Sequence, residues 1–207
     1  MKEDKRPEGK ASFITEARRE QIREAAIRTL DEIGYVNASL AQIAKRAGIS
    51  TALISYHFAD KYDLMNHLLT HLVERSAAYI LERVEREKSS TDQLNAYIVA
   101  SLDYQAAHPA RNAALVEIVF NARTPDGVPY YKLGDDEDED PVQRELRRIL
   151  TEGQRAGEFG AFRVDVVATM IQGAIGEYML IPEAGKKTDP QTYRDELVRM
   201  IHRIVKG

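Results

Sequence analysis

At 207 residues, 30% charged and 43% hydrophobic, the chain is long enough to bury a self-sufficient core and suits one small and one larger compact unit. The lack of cysteine excludes a disulfide framework and any thiolate nucleophile or metal site. No run approaches the roughly 18 apolar residues of a membrane span, and the polar N-terminus does not suit a secretory signal, so a soluble, cytoplasmic protein with no membrane partner is expected.

The net charge of −4 argues against a non-specific nucleic-acid binder, yet the charge is unevenly spread. Residues 1 to 61 carry eleven Lys or Arg against nine Asp or Glu, and the remainder eighteen against twenty-four. A mildly basic head on an acidic body would turn the head toward phosphates.

Residues 1 to 11 hold almost nothing to bury and read as a disordered arm. Its Lys2, Lys5, Arg6 and Lys10 form either a solvated tail or a basic arm for a DNA minor groove. A helix is expected from about 14 to 33, with Ile22, Ala25, Ala26, Thr29, Leu30 and Ile33 on one face and Gly34 ending it. Ser39 with Gln42 is a capping box, so a second helix starts at 40, with Leu40, Ile43, Ala44 and Ala47 as its apolar stripe. Gly48 closes that helix and Ser50 caps the next. Ile49 and Ile54 are spaced as a hydrophobic staple that turns Ile54 and Phe58 inward. Thr51, Ala52, Leu53, Ser55 and Tyr56 then form a small, nearly uncharged outward face. Two short helices joined by a glycine turn have the geometry that lays the second into a DNA major groove.

The helix over 16 to 33, Gly34, the 39 to 58 unit and Lys61 with Leu64 closely resemble the DNA-binding domain of the TetR family of one-component bacterial repressors. The spacing from Gly48 through Tyr56-His57-Phe58 to Lys61 is the specific part. Only the first quarter to third of the chain carries these motifs; the remainder matches in length and helical character. The resemblance implies an all-α fold, with an N-terminal three-helix helix-turn-helix domain over 12–60 and a C-terminal helical bundle for ligand binding and dimerisation over 61–207. By position, it implies that Ser39, Tyr56, His57 and Lys61 bind phosphates, and that Thr51, Ala52, Leu53 and Ser55 face base edges beyond the cap Ser50. Two departures stand out: Ser55 replaces a tyrosine of many relatives, and the reading face has no Arg, Asn or Gln for a bidentate base contact. Specificity then has to come from thymine-methyl contacts with Ala52 and Leu53, from water, or from DNA shape.

Asp60 caps a long helix from about 61 to 88, which runs on into the second domain and could transmit tilt. Lys61 in its first turn is a phosphate anchor or, on the residues alone, an ordinary surface lysine. His67 and His71 have chelating spacing but no third ligand nearby, so packed or exposed histidines are the preferred reading, and neither metal nor cofactor is expected. Ser90 with Gln93 offers a cap for a helix from about 91 to 107. Leu94, Ile98 and Leu102 form one line on it, and Tyr97, Ser101, Tyr104 and His108 another. Either this helix sits at the centre of a bundle with its hydroxyl line on a cavity, or its tyrosines are half packed on a surface.

Glu117 interrupts an apolar run from 113 to 120 and needs a partner, a ligand or a helix edge reaching water. Residues 123 to 140 read as a long loop ending in an acidic run, usually a solvated feature, after which Asp140 and Pro141 start a helix. The helix from about 165 to 181 is apolar nearly all round, and the last, about 190 to 205, has a broad apolar face. With Gly173, Ala174 and Gly176 allowing close approach, these two helices pair with a second copy in a homodimer or form an intramolecular core.

The resemblance implies a dimeric, ligand-responsive repressor that binds a pseudo-palindromic double-stranded operator and is released by a small-molecule effector. If Tyr97, Tyr104, Glu117 or Glu177, Phe120, Met170 and Tyr178 line one cavity, that effector is aromatic or amphipathic, cations included. The alternative is a dimeric DNA-binding regulator without an effector. No glycine-rich phosphate loop, metalloprotease histidine pair or nucleophile with a base is evident, so no catalytic role is expected.

Overall fold

The computed structural model describes residues 8–132, 140–181 and 187–207, with side chains from residue 13 onward. Among them run nine α-helices: α1 (Glu8–Asn37), α2 (Leu40–Ala47), α3 (Thr51–His57), α4 (Lys61–Glu85), α5 (Ser90–Ala107), α6 (Pro109–Asn121), α7 (Pro141–Arg155), α8 (Val164–Leu180) and α9 (Pro190–Lys206). A 3-10 turn covers Tyr130–Lys132. No helix among the described residues is long and apolar enough to cross a membrane. The chain forms two compact units, Met1–Thr70 with Ala113–Leu133, and His71–Asn112 with Gly134–Gly207.

In the first unit, α1 starts at Glu8, so residues 8–11 are helical rather than part of an arm. Extending an existing helix adds a hydrogen bond per residue without a new nucleus, which short polar stretches tolerate. Lys2, Lys5 and Arg6 lie outside the described residues. Gly34 leaves the helix at φ 73°, ψ 168°, and Asn37 donates its side-chain amide to the Ile33 carbonyl at 2.9 Å. Ile33, expected on the core face, is exposed, because the chain turns away there.

The helix-turn-helix closes through its own nearest residues. Ser39 accepts from the Gln42 N–H, and the Gln42 side chain accepts from the Ser39 N–H at 2.8 Å, the two halves of a capping box. Gly48 takes the left-handed conformation at φ 67°, and Ser50 accepts from the Leu53 N–H at 3.2 Å. Ile54 and Phe58 are buried. Burial of a side chain such as Ile54 is worth about 1.5–3 kcal/mol, so α3 is held by one face only.

Asp60 caps α4 by accepting from the Asp63 N–H at 2.8 Å, and Leu64, Met65 and Leu68 are fully buried behind it. These residues, with 113–133, carry the first unit past the expected boundary at 60. Glu117 on α6 accepts from the Tyr35 N–H at 2.7 Å, and the Tyr130 hydroxyl donates to Asn66. The expected long loop after α6 includes an ordered turn, in which Thr124 donates its N–H to the Val128 carbonyl at 2.9 Å and Gly127 has φ 82°. Acidic residues 135–139 lie outside the described residues, while Asp140 caps α7 through the Val142 N–H at 2.8 Å.

In the second unit, α5 packs on α7, α8 and α9. Both of its lines are buried: Leu94, Ile98 and Leu102, and also Tyr97, Ser101 and Tyr104. Its cap is Ser89, not Ser90, because Glu158 from the α7–α8 connection occupies the next two N–H groups, accepting from Ser90 at 3.0 Å and Thr91 at 2.9 Å. The Phe159 ring lies against Gly153, where an added Cβ would meet it at 2.1 Å. On α8, Val167, Ile171, Ile175 and Tyr178 are buried while Val166, Met170 and Leu180 are exposed; on α9, Leu197, Ile201 and Val205 are buried while Met200 and Ile204 are exposed.

Candidate nucleic-acid interface

The nine residues expected at DNA all fall in the first unit. Thr51, Ala52, Ser55 and Tyr56 form an exposed strip along α3, with Leu53 half-buried at its side. Tyr56 is 80% exposed, and its ring meets His57 edge-on at 5.1 Å. This amphipathic phenol can donate a hydrogen bond outward without disturbing the core. Ser39 and Ser50 are exposed but serve the backbone: Ser39 also donates to the Gln42 side chain at 2.8 Å. The strip itself carries no formal charge, as the residue types require.

His57 is half-buried, and its pKa is held below the ordinary histidine value, first by burial and then by the positive charges of Arg19 and Arg18 on α1. Its neutral form is therefore favoured near pH 7. Lys61 does not extend into solvent. Its ammonium donates to the Tyr35 carbonyl at 2.5 Å and lies 4.1 Å above the Tyr35 ring, and burial lowers its pKa. Arg46 at the end of α2 is likewise engaged, donating to Thr29 at 3.1 Å and pairing with Glu32. Arg18 and Arg19 were absent from the sequence-derived site. The arginine doublet was visible, but only the fold turns it toward His57.

The residues expected at an effector divide between the units. Glu117 and Phe120 belong to the first: Glu117 is occupied by the Tyr35 N–H and by Asn121 at 3.1 Å, and Phe120 is exposed and stacks on Tyr131 at 6.2 Å. Tyr97, Tyr104, Met170 and Tyr178 belong to the second. The Tyr97 hydroxyl accepts from Gln172, and burial drives its pKa far up. Tyr178 stacks on Tyr193 at 4.2 Å, and Met170 is exposed. Tyr104 is 7% exposed, packs against Tyr79 at 5.3 Å and His108 at 4.6 Å, and its buried hydroxyl has no hydrogen-bond partner among the described residues. A groove of about 340 Å³ between α7 and α8 is lined by Gln143, Leu146, Arg147, Ala168, Thr169 and Gln172, together with Gly173. None of the expected effector residues lines it.

Residues 22–68 match the family described as "Bacterial regulatory proteins, tetR family". A protein named HTH-type transcriptional regulator BetI from Burkholderia ambifaria is 36% identical over 91 residues, covering 44% of this chain and 47% of that protein. A BetI from Stenotrophomonas maltophilia is 36% identical over 94 residues, covering 44% and 46%. The chain thus aligns with under half the length of these relatives. A tetR-family regulatory protein from Rhodococcus RHA1 superposes with TM-score 0.77 at 18% identity, over 91% of this chain and 97% of the other. The regulator FadR from Bacillus subtilis, solved with stearoyl-CoA, superposes with TM-score 0.74 at 22% identity, over 88% and 96%. These likenesses establish the all-α fold, with a helix-turn-helix head followed by a helical body.

Proposed function

From the match of residues 22–68 to the tetR family, we propose that the chain is a dimeric transcriptional repressor that binds a pseudo-palindromic DNA operator and is released by a small-molecule effector. The observation that carries the reading is α3: a short helix anchored by Ile54 and Phe58, entered from a glycine turn, with a face of Thr51, Ala52, Ser55 and Tyr56 open to a groove. Such a face reads thymine methyls and groove shape more than guanine edges, since it lacks a bidentate side chain. Tyr56, His57 and the capped starts of α2 and α4 supply the phosphate contacts, and Lys61 steadies the α1–α4 corner through Tyr35.

Dimerisation is supported by Val166, Met170 and Leu180 on α8 and by Met200 and Ile204 on α9, which leave apolar surface uncovered beside Gly173 and Gly176. An added Cβ at either glycine would meet nothing within 4 Å, so a second backbone has room to approach. Two copies related by a two-fold axis would place two α3 helices on half-sites about one helical turn or more apart. For the effector, the buried Tyr104 hydroxyl supports an aromatic or amphipathic molecule reaching that side chain, because an unmet buried hydroxyl carries a penalty of about 1–3 kcal/mol that a ligand acceptor or donor would relieve. The FadR neighbour, with its acyl-CoA, makes an amphipathic ligand a sensible first screen.

The test is selection of bound duplexes from a random pool at stated salt, with the purified full chain. An enriched site with two inverted half-sites supports the reading, and weak, steeply salt-dependent binding with no enriched sequence overturns it. An effector found against that site should lose its action in Tyr104→Ala; an unchanged response removes Tyr104 from the ligand site.

A further inference from the structure

We propose that Arg18 and Arg19 of α1, with His57 at the end of α3, form a phosphate seat that grips the DNA backbone beside the recognition helix. The inference rests on the DNA-binding reading of α3 and adds two residues that neither the motif nor the expected contact set contains.

Two of the cations that flank the helix-turn-helix, Lys61 and Arg46, are committed elsewhere. The Lys61 ammonium is bound to the Tyr35 carbonyl, and Arg46 is bound to Glu32 and Thr29. Arg18 and Arg19 differ from both. No described carboxylate lies within ion-pair distance of either, because the acids on the same helix, Glu16 and Glu20, pair with Arg23 at 2.5 and 2.8 Å.

Arg18 is also held in place. It donates to the Gln21 side chain at 2.5 Å, and Gln21 donates to the Ala47 carbonyl at 2.6 Å, one residue before the Gly48 turn. This relay ties the Arg18 guanidinium, through Gln21, to the end of α2 in the helix-turn-helix. Among the described residues the buried Nε of Arg19 has no partner, an unmet donor on a charged group. The positive potential of both arginines at His57 agrees with this placement.

Two guanidinium forks and an imidazole beside an exposed Tyr56 hydroxyl form a donor set with no anion of its own among the described residues. Guanidinium planes match phosphate oxygens in bidentate geometry, and such contacts add affinity and register but carry no base sequence. An uncharged reading strip needs this kind of neighbour. The strip selects, and the arginines hold.

The test uses the full chain and the duplex enriched by the wild type, with binding followed by fluorescence anisotropy from about 50 to 200 mM salt. In Arg18→Gln/Arg19→Gln, affinity should fall roughly 10- to 100-fold at the middle of that range. The slope of log affinity against log salt should shrink by about 2, near 0.9 per lost phosphate contact. The ranking of single-base variants of the duplex should stay the same. Arg18→Lys/Arg19→Lys should restore most of the slope, which separates lost charge from a damaged fold. Wild-type slope and affinity in the double glutamine variant overturn the proposal and leave the DNA reading intact. Failure of the wild type to enrich any duplex removes the DNA reading, and the seat with it.

Discussion

The start of α2 and the start of α5 face one physical demand, the orphan N–H groups of a first helical turn, and they meet it over different distances. At α2, Ser39 and Gln42 exchange hydrogen bonds across three residues. At α5, Ser89 takes the Asp92 N–H, but Ser90 and Thr91 donate to Glu158, a carboxylate 68 and 67 residues further along the chain. The helix-turn-helix is therefore punctuated by its immediate neighbours, whereas α5 is completed by a segment that meets it only after folding. The glycines differ as well. Gly48 is required by its own left-handed backbone, whereas Gly153 is required by a side chain, the Phe159 ring six residues on.

Four experiments would break or sharpen this comparison. Ile54→Ala, at a side chain with no exposed surface, should cost about 2–5 kcal/mol in denaturant unfolding and abolish sequence-selective DNA binding. A variant that still selects the wild-type duplex would show that α3 does not depend on this anchor. Gly153→Ala tests the second unit, since the new methyl would overlap the Phe159 ring, and about 1–3 kcal/mol of destabilisation is expected by the same measurement. Tyr56→Phe should weaken binding to all duplexes alike by about 0.5–1.5 kcal/mol, whereas Ala52 substitutions should change which duplex wins a competition.

The smallest effect concerns Glu158, whose pKa is lowered by the Thr91 and Ser90 hydrogen bonds. Because its folded value lies below its unfolded one, its contribution is complete above the ordinary carboxylate range and disappears as pH falls through the folded value. The thermal midpoint of Glu158→Gln should thus lie below that of the wild type at pH 6, and the gap should close in acid. A gap independent of pH would mean that the carboxylate charge is not what closes α5.

What could be read from the chain follows the same division. The capping box at Ser39, the turn at Gly48, the cap at Ser50 and the inward Ile54 and Phe58 are local patterns, and each recurs in the structure at the expected residue. The two lines of α5, one apolar and one of aromatic and hydroxyl side chains, were legible but left its central position and a surface position both open, and burial of Tyr97, Ser101 and Tyr104 decides for the centre. The exact start of α5 was not legible, since nothing near Ser90 announces Glu158. Glu117 showed the same limit: an acid in an apolar run does need a partner, but the partner is the Tyr35 N–H, 82 residues earlier. For Lys61 the motif supplied a position and not a rotamer, and the adjacent Tyr35 carbonyl decided where the ammonium went.

The outward strip of α3 has a consequence for how the protein can change over generations. Thr51, Ala52 and Ser55 are exposed, and the helix they stand on is secured from its opposite side by Ile54 and Phe58. Substitutions at such positions ordinarily alter stability by no more than about 0.5 kcal/mol. The residues that would choose a target sequence are therefore nearly free of duties to the fold. Mutation can explore them one at a time without passing through unfolded intermediates, so a duplicated gene carrying this head could diverge to new sites while its scaffold stayed unaltered.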